Sequence, residues 1–381
     1  MMDILLQEDS IISPLGFSTS ENINAIKAGN SGLQFHANSR FQNGGFYAGI
    51  IDPTFLADEF SALGDAKKFT KLEQMMLLAI QSVLNNNKQI DLKTTALIIS
   101  STKGNINLWD NPQNFSEDRA SLNSLGKIIQ NFFGFELQPI IVSNACISGG
   151  LAVAIAKRFI QAGKFDNAVV VAGDLVSDFV TSGFQSFQAL SNSLCRPFSK
   201  TRDGISLGEA AAAVLVSSEI TKGDNIALIG DASANDANHI SGPSRTGEGL
   251  YKSIQQGLKE AQLSASEIDY LSAHGTATVF NDEMEAVAFN RAGLNHVPIN
   301  SFKGFYGHTL GASALIETIL AKHSLLNNEL YPSLNFEELG VSKPINIIQN
   351  LVKKELQTAL KTASGFGGCN LALILKKINN G

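Results

Sequence analysis

Ile140-Ile141-Val142-Ser143-Asn144-Ala145-Cys146-Ile147-Ser148-Gly149-Gly150, followed by Leu151-Ala152-Val153-Ala154-Ile155-Ala156, is the stretch on which the fold turns. An apolar run of strand type stops at Ser143, small residues follow, and the periodicity changes to that of an alanine-rich helix. Cys146 is thereby placed on a tight strand-to-helix turn, projecting out of a sheet at a helix N-terminus. Unpaired backbone N–H groups there favour an anion, so this thiol is expected to ionise more easily than a free cysteine. A free cysteine taken alone is most often a small packing residue. What separates Cys146 from that ordinary role is the rest of the chain.

The 381 residues are 44% hydrophobic and 17% charged, a globular balance with ample material for a large core. The length suggests two domains or one duplicated α/β unit. A formal net charge of −6 and the lack of an extended basic tract argue against nucleic-acid binding. The cysteines Cys146, Cys195 and Cys369 are odd in number and far apart, unlike a disulfide framework or a zinc site. Met1 to Leu6 lacks the basic and apolar regions of a signal peptide, and no apolar run reaches the ~20 residues of a membrane span. A cytoplasmic protein is expected.

Outward from the turn, strands alternate with helices. Strands are expected at Thr95–Ser101, Asn167–Ala172, Ala211–Val216, Ile226–Gly230, Tyr270–Ala273, Val297–Ser301 and Leu371–Lys376. Helices are expected at Glu21–Ala28, capped by Ser20, and at Lys71–Leu84, Ser121–Phe132, Gly249–Gln262, Met284–Arg291 and Ala312–Leu326. Residues 30–60 carry little periodicity and read as irregular. The alternation predicts parallel sheets covered on both faces. A strand, then a reactive residue, then a helix occurs near residue 146 and twice more after residue 270, which hints at two related halves meeting at one site.

Three further blocks carry chemistry. Ala273-His274-Gly275-Thr276-Ala277-Thr278 follows a strand, with Asn281-Asp282 soon after. Lys303-Gly304-Phe305-Tyr306-Gly307-His308-Thr309-Leu310-Gly311-Ala312 follows the next. Ser364-Gly365-Phe366-Gly367-Gly368-Cys369-Asn370 precedes the last. The ends of strands are where the crevice of an α/β sheet lies. A thiol, two imidazoles and an ammonium gathered there form a nucleophile with acid–base partners. The Gly-Phe-Gly-Gly run is no phosphate loop, because it leads into a strand and not a helix. His36, His239, His296 and His323 are read as structural, and Cys195 and Cys369 as packing residues.

With a fifth block, Arg196-Pro197-Phe198 through Arg202-Asp203-Gly204 to Gly208-Glu209, these motifs resemble the β-ketoacyl-[acyl-carrier-protein] synthases, condensing enzymes of the thiolase-like superfamily. The resemblance spans residues 140–372. It implies an α/β thiolase-like fold, two related halves (1–222 and 223–381) packed as a layered α/β/α/β/α body. It implies that Cys146 takes an acyl primer from a phosphopantetheine thioester. His274 and His308 would then promote loss of CO₂ from a malonyl thioester by binding the enolate oxygen. By the same resemblance Lys303 orients the site and Glu317 bonds to the lysine region. Phe366 gates the nucleophile and shares an oxyanion hole with Cys146, Thr276 and Thr278 hold the pantetheine arm, and Asp282 supports them. Lys67, Lys68 and Lys71 match where relatives dock an acidic carrier protein, although a plain solvated face reads the same way. No metal or other cofactor is implied. The implied partners are acyl carrier protein and a second copy of the chain or a related subunit.

Some residues depart from the family pattern. Ile147 is bulkier than the residue many relatives place after the nucleophile, and the glycine-rich loop expected after Thr95–Ser101 is degenerate, Ser100-Ser101-Thr102-Lys103-Gly104-Asn105. These departures leave the primer open and lean toward a specialised pathway among fatty acid, polyketide and aryl-polyene-type synthesis. Two alternatives stand beside the main reading. A thiolase acting on coenzyme A thioesters is disfavoured by the paired histidines. A chain-length-factor-type subunit is disfavoured by the presence of Cys146.

Overall fold

The computed structural model describes residues 2–38, 44–109, 111–112, 114–238 and 242–380, so His239 lies outside the described residues. Strands of the main sheet are β1 (Leu5–Ile12), β2 (Thr95–Ser100), β3 (Ile140–Val142), β4 (Asn167–Asp174), β5 (Ala210–Ser217), β6 (Gly223–Asn235), β7 (Tyr270–Ser272), β8 (Pro298–Asn300), β9 (Asn346–Ile347), β10 (Thr358–Gly365) and β11 (Cys369–Asn380). The helices that matter here are α1 (Lys71–Asn85), α2 (Leu122–Phe133), α3 (Ser148–Gln161), α4 (Asp178–Ser186), α5 (Glu248–Ala261), α6 (Val279–Arg291) and α7 (Ser313–Asn327).

The sheet has eleven strands in the order β9-β8-β7-β10-β11-β6-β1-β5-β4-β2-β3. It divides between β1 and β6, which share a single paired position, Leu5 with Ala227. On either side the strands run in one pattern. β1-β5-β4-β2-β3 and β6-β11-β10-β7-β8 have the same connectivity and the same sequence of antiparallel and parallel neighbours. The internal duplication hinted at by the sequence is present in the topology. One feature breaks it: β9 covers the outer edge of β8, whereas β3 is the last strand on its own side.

Helices α3 and α7, which follow β3 and β8, pack together between the two sets of strands and share one apolar core with their inner faces. Leu72, Met76, Ile80 and Ile129 of α1 and α2 cover the outer face of the first set. Leu250, Ile254, Met284 and Phe289 of α5 and α6 cover the outer face of the second. The result is the layered α/β/α/β/α body. Gly149 makes the central contact: a Cβ there would lie 2.8 Å from the Gly311 carbonyl and 2.9 Å from Leu315 Cβ, so only glycine lets the two helix starts meet. Thr70 begins α1 with a capping box closed by Glu73.

The elements missed by pattern reading are instructive. β1 reads Leu-Leu-Gln-Glu-Asp-Ser-Ile-Ile and β10 Thr-Ala-Leu-Lys-Thr-Ala-Ser-Gly, neither alternating nor continuously apolar, yet both are interior strands. The charged side chains Asp9 and Lys361 are matched by partners distant in sequence, Thr19 and Lys322 for the first and Glu317 for the second, a compensation invisible to local periodicity. Strands at Gln34–Ala37 and Gly45–Gly49 and a helix at Pro53–Phe60 occupy the stretch expected to be irregular. The first helix is Thr19–Lys27, capped by Ser18 and not Ser20: the Ser18 hydroxyl accepts the Glu21 N–H at 3.2 Å.

Candidate active site

Cys146 sits between β3 and α3, as the sequence required. Ala145 before it has φ +44°, a left-handed conformation that costs a non-glycine residue of order 1–3 kcal/mol and turns the chain sharply enough to project the thiol. Ser148 braces the elbow, its hydroxyl accepting the Asn144 N–H at 2.7 Å. The expectation of an easily ionised thiol is overturned. Burial pushes Cys146 up to about 12 and Cys369 acts in the same direction, while Lys303, the Phe366 N–H and Lys103 pull down by less. Helix α3 begins two residues beyond the thiol, and desolvation is the largest influence on the thiol. At rest Cys146 is a neutral thiol.

The second half supplies the partners. His308 Nε2 lies 3.1 Å from Cys146 Sγ. On the other side of the ring, the Leu310 N–H donates to Nδ1 at 3.1 Å, with the Ser313 hydroxyl 2.9 Å away. A donor on Nδ1 places the single ring proton on Nε2, facing the thiol. Leu310 takes φ +52° to deliver that N–H. His274 is held in the same way: the ammonium of Lys303 donates to its Nδ1 at 3.2 Å, leaving an Nε2–H to face the site. The two rings meet edge to face with centroids 5.2 Å apart. Burial first, then Lys303 and Lys361, and for His274 also His308, hold both imidazoles well below the usual histidine range. Both are neutral donors at physiological pH.

Behind His274 lies a buried carboxylate cradle on α6. Glu285 accepts the N–H groups of His274 and Gly275 at 2.8 and 2.7 Å, and Asp282 accepts those of Thr276 and Phe198 at 3.0 and 2.7 Å. Burial raises Asp282 to about 6; burial and the neighbouring Asp282 raise Glu285 to about 7. A Cβ on Gly275, φ +46°, would come 2.5 Å from Ser301 Cβ, which explains the glycine after the histidine. Glu317 of α7 meets Lys303 at 2.6 Å, in the place the resemblance implied.

A cavity of about 360 Å³ leads to these groups, lined by Cys146, His274, His308, Thr276, Thr278 and Phe366 among others. The threonine hydroxyls lie 2.9 Å apart, and Thr278 also caps α6 by accepting the Asn281 N–H. Phe366 stacks on Phe184 at 5.5 Å and meets Phe187 edge-on at 5.3 Å, forming an aromatic wall of the cavity that Cys146 also lines. It stands on the hairpin turn between β10 and β11.

The three lysines of the suggested docking face do not stay together. Lys67 and Lys68 are exposed on a short 3₁₀ turn, Ala66–Lys68. Lys71 belongs to another role: its ammonium pairs with buried Glu209 and donates to the Ile51 carbonyl, so it braces the fold and is removed from that face. Sequence reading missed Lys361, Glu285 and Asp174. Asp174 accepts from the Ser101 hydroxyl and the Thr102 and Gly311 N–H groups, tying the end of β2 to the His308 loop. For Asp174, an acid closing an apolar strand was the available signal.

Residues 9–221 match the family described as Beta-ketoacyl synthase, N-terminal domain, and residues 226–337 that described as Beta-ketoacyl synthase, C-terminal domain. The chain is 34% identical over 256 residues to 3-oxoacyl-[acyl-carrier-protein] synthase 2 of Rhizobium meliloti, covering 62% of this chain but only 60% of that protein's length. It is 26% identical to the protein of the same name from Coxiella burnetii, with 97% of each chain aligned. Among solved structures it resembles the ketosynthase (ApeO) in complex with its chain length factor (ApeC) from Xenorhabdus doucetiae, with a TM-score of 0.81, 22% identity and 98% of both chains covered. That last likeness is one of fold, and the fold is thiolase-like.

Proposed function

The chain belongs to the β-ketoacyl synthase family, and from that premise we propose that it condenses an acyl primer with a malonyl unit, both delivered as thioesters on acyl carrier protein, with loss of CO₂. The observation that carries this reading is the convergence of one thiol and two neutral Nε2–H donors on a single cavity, with Cys146 Sγ 3.1 Å from His308. In the first half-reaction the Cys146 sulfur bonds to the acyl carbon and the carrier's C–S bond breaks. The thiol proton ends on the departing pantetheine sulfur. The N–H groups of Cys146 and Phe366 bind the oxyanion. In the second, the bond to the malonyl carboxylate breaks, CO₂ leaves, and the electron pair passes into an enolate whose oxygen accepts from His274 and His308. This is stabilisation of charge present mainly in and after the transition state. The carbanion then attacks the acyl carbon, and the Cys146 sulfur leaves and is reprotonated.

Thr276 and Thr278 would hold the pantetheine arm, Phe366 would gate the thiol, and Lys303 with Glu317 and Asp282 would fix the histidines. Cys146, His274 and His308 offer atoms within 4.8 Å of one another, close enough to suggest a metal. The donors on both Nδ1 atoms argue against one, because each Nε2 then carries a proton where a ligand needs a lone pair. The reaction is proposed to need no metal or nucleotide. The uncovered edge of β3 supports a dimer formed there, with a second copy or with a related subunit; the solved ketosynthases paired with a chain length factor favour keeping the latter. The halves are proposed to divide at 222/223. No described helix is long and apolar enough to cross a membrane. The test is intact-mass detection of acyl groups on Cys146 across a panel of acyl carrier proteins, with labelled CO₂ release from malonyl carrier. A chain that takes up no acyl group from any carrier would overturn the reading.

A further inference from the structure

Glu317 does more than meet Lys303. Its Oε1 lies 2.6 Å from Lys303 Nζ and its Oε2 lies 2.6 Å from Nζ of a second lysine, Lys361, in the middle of β10. All three side chains are buried, Lys361 completely. Lys361 Nζ is also within reach of the carbonyls of Thr362 at 2.6 Å, Ala273 at 3.2 Å and Ser272 at 3.3 Å. Three carbonyls thus accept from one nitrogen, and the Glu317 carboxylate lies beside it as an ion pair. A neutral amine donates only two hydrogens, so three accepting carbonyls call for an ammonium; burial lowers Lys361 from the ordinary lysine value, and the Glu317 carboxylate beside it opposes that shift. Ser272 and Ala273 are the residues immediately before His274.

We propose that Lys361 is a positioning residue of the decarboxylation step, completing with Glu317 and Lys303 a buried clamp that fixes the end of β7 and leaves one net positive charge behind His274. The proposal rests on the condensing reaction proposed above. Two ammonium groups and one carboxylate sum to +1, in surroundings that screen charge poorly. That charge faces the place where an enolate would develop and disfavours a second positive charge on either imidazole. Lys361 is among the causes that hold His274 and His308 low, after burial and Lys303. The other ionisable groups around His274 are Glu285 and Asp282 on α6, His308 and Cys146. Glu285 and Asp282 are themselves raised by burial, which limits how much negative charge they set against the clamp near neutrality.

The experiment uses the full chain with Lys361→Met, which keeps an unbranched side chain one atom shorter and removes its charge. Labelled CO₂ release from malonyl carrier is followed from pH 5 to 9, and Cys146 acylation is followed by intact mass. Release is expected to fall on the order of ten- to a hundredfold at pH 7, while acylation stays within about twofold. The acidic limb of the release profile is expected to move to higher pH, since a lost cation lets the histidines protonate sooner. Should Lys361→Met fail to acylate, Lys361→Gln keeps an amide donor for the Ser272 and Ala273 carbonyls and gives the same readout. An acylating variant whose profile superimposes on wild type overturns the clamp. A wild type that neither acylates nor releases CO₂ overturns the condensing reaction and this proposal together.

Discussion

The elbow after β3 and the elbow after β8 occupy the same place in two copies of one strand order, yet they were filled with opposite chemistry. The first is short and apolar. It offers one thiol, and burial keeps that thiol neutral. The second is longer and packed with polar side chains: Lys303, His308 and, from the adjoining strands, His274 and Lys361. Two strand sets of like order face each other across α3 and α7. In the proposed reaction one elbow would supply the nucleophile and the other the hydrogen-bond donors. A thiol in the first elbow has no general use without the donors of the second, because its own surroundings raise its pKa.

The largest expected effect comes from breaking each side in turn. Cys146→Gln removes the thiol and puts a neutral amide where an acyl thioester would sit. Condensation should vanish, while decarboxylation of malonyl carrier persists. His274→Ala and His308→Ala should do the reverse, leaving Cys146 open to acylation but slowing CO₂ release by about 10²-fold or more, the scale of one lost oxyanion donor. If Cys146→Gln still elongates, another nucleophile is at work; if neither histidine variant slows CO₂ release, the division of labour between the elbows is wrong.

A smaller effect should appear in stability. Folding raises Glu285 from 4.5 to about 7, chiefly by burial and then by Asp282. Its contribution is therefore fully present below pH 4.5 and is lost as pH rises through 7. Glu285→Gln removes that titration. The stability advantage of wild type over the variant should shrink as pH rises from 4.5 through 7. Urea unfolding at several pH values measures it, and two parallel pH curves would contradict the assignment. In the first half, buried Asp9 beside Lys322 and His323 is shifted the other way. Its stabilisation is present above its ordinary value and fails only as pH falls well below it.

The smallest effect lies on the surface of the first half. Lys67→Glu with Lys68→Glu should weaken use of carrier-bound substrate several-fold at low salt and less at high salt, leaving short pantetheine thioesters unaffected. Equal loss on both substrates would show that these charges act on the fold. Oligomeric state sharpens the comparison from another side. β3 ends its side of the sheet where β8 is covered by β9, so light scattering should give a multiple of the 40.7 kDa chain. A fully active monomer would remove the reason for that asymmetry.

Much of this was written locally. The change from strand to helix period around Cys146, the glycines beside His274 and His308, and the spacing from Lys303 to Glu317 all lie in contiguous stretches, where backbone geometry dictates residue type. They determined the α/β class, the elbows and the reactive side chains. Tertiary structure alone decided the rest, since it depends on groups far apart in sequence. Thiol ionisation was misjudged because desolvation is set by the whole packed body, not by the nearest helix terminus. Lys71 left the docking face because Glu209, far along the chain, folds back to pair with it. The histidine tautomers follow from which donor reaches Nδ1. Lys361, in a strand that local pattern did not reveal, acquired its place only when β10 lay beside β7 and Glu317 came down from α7 between two ammonium groups.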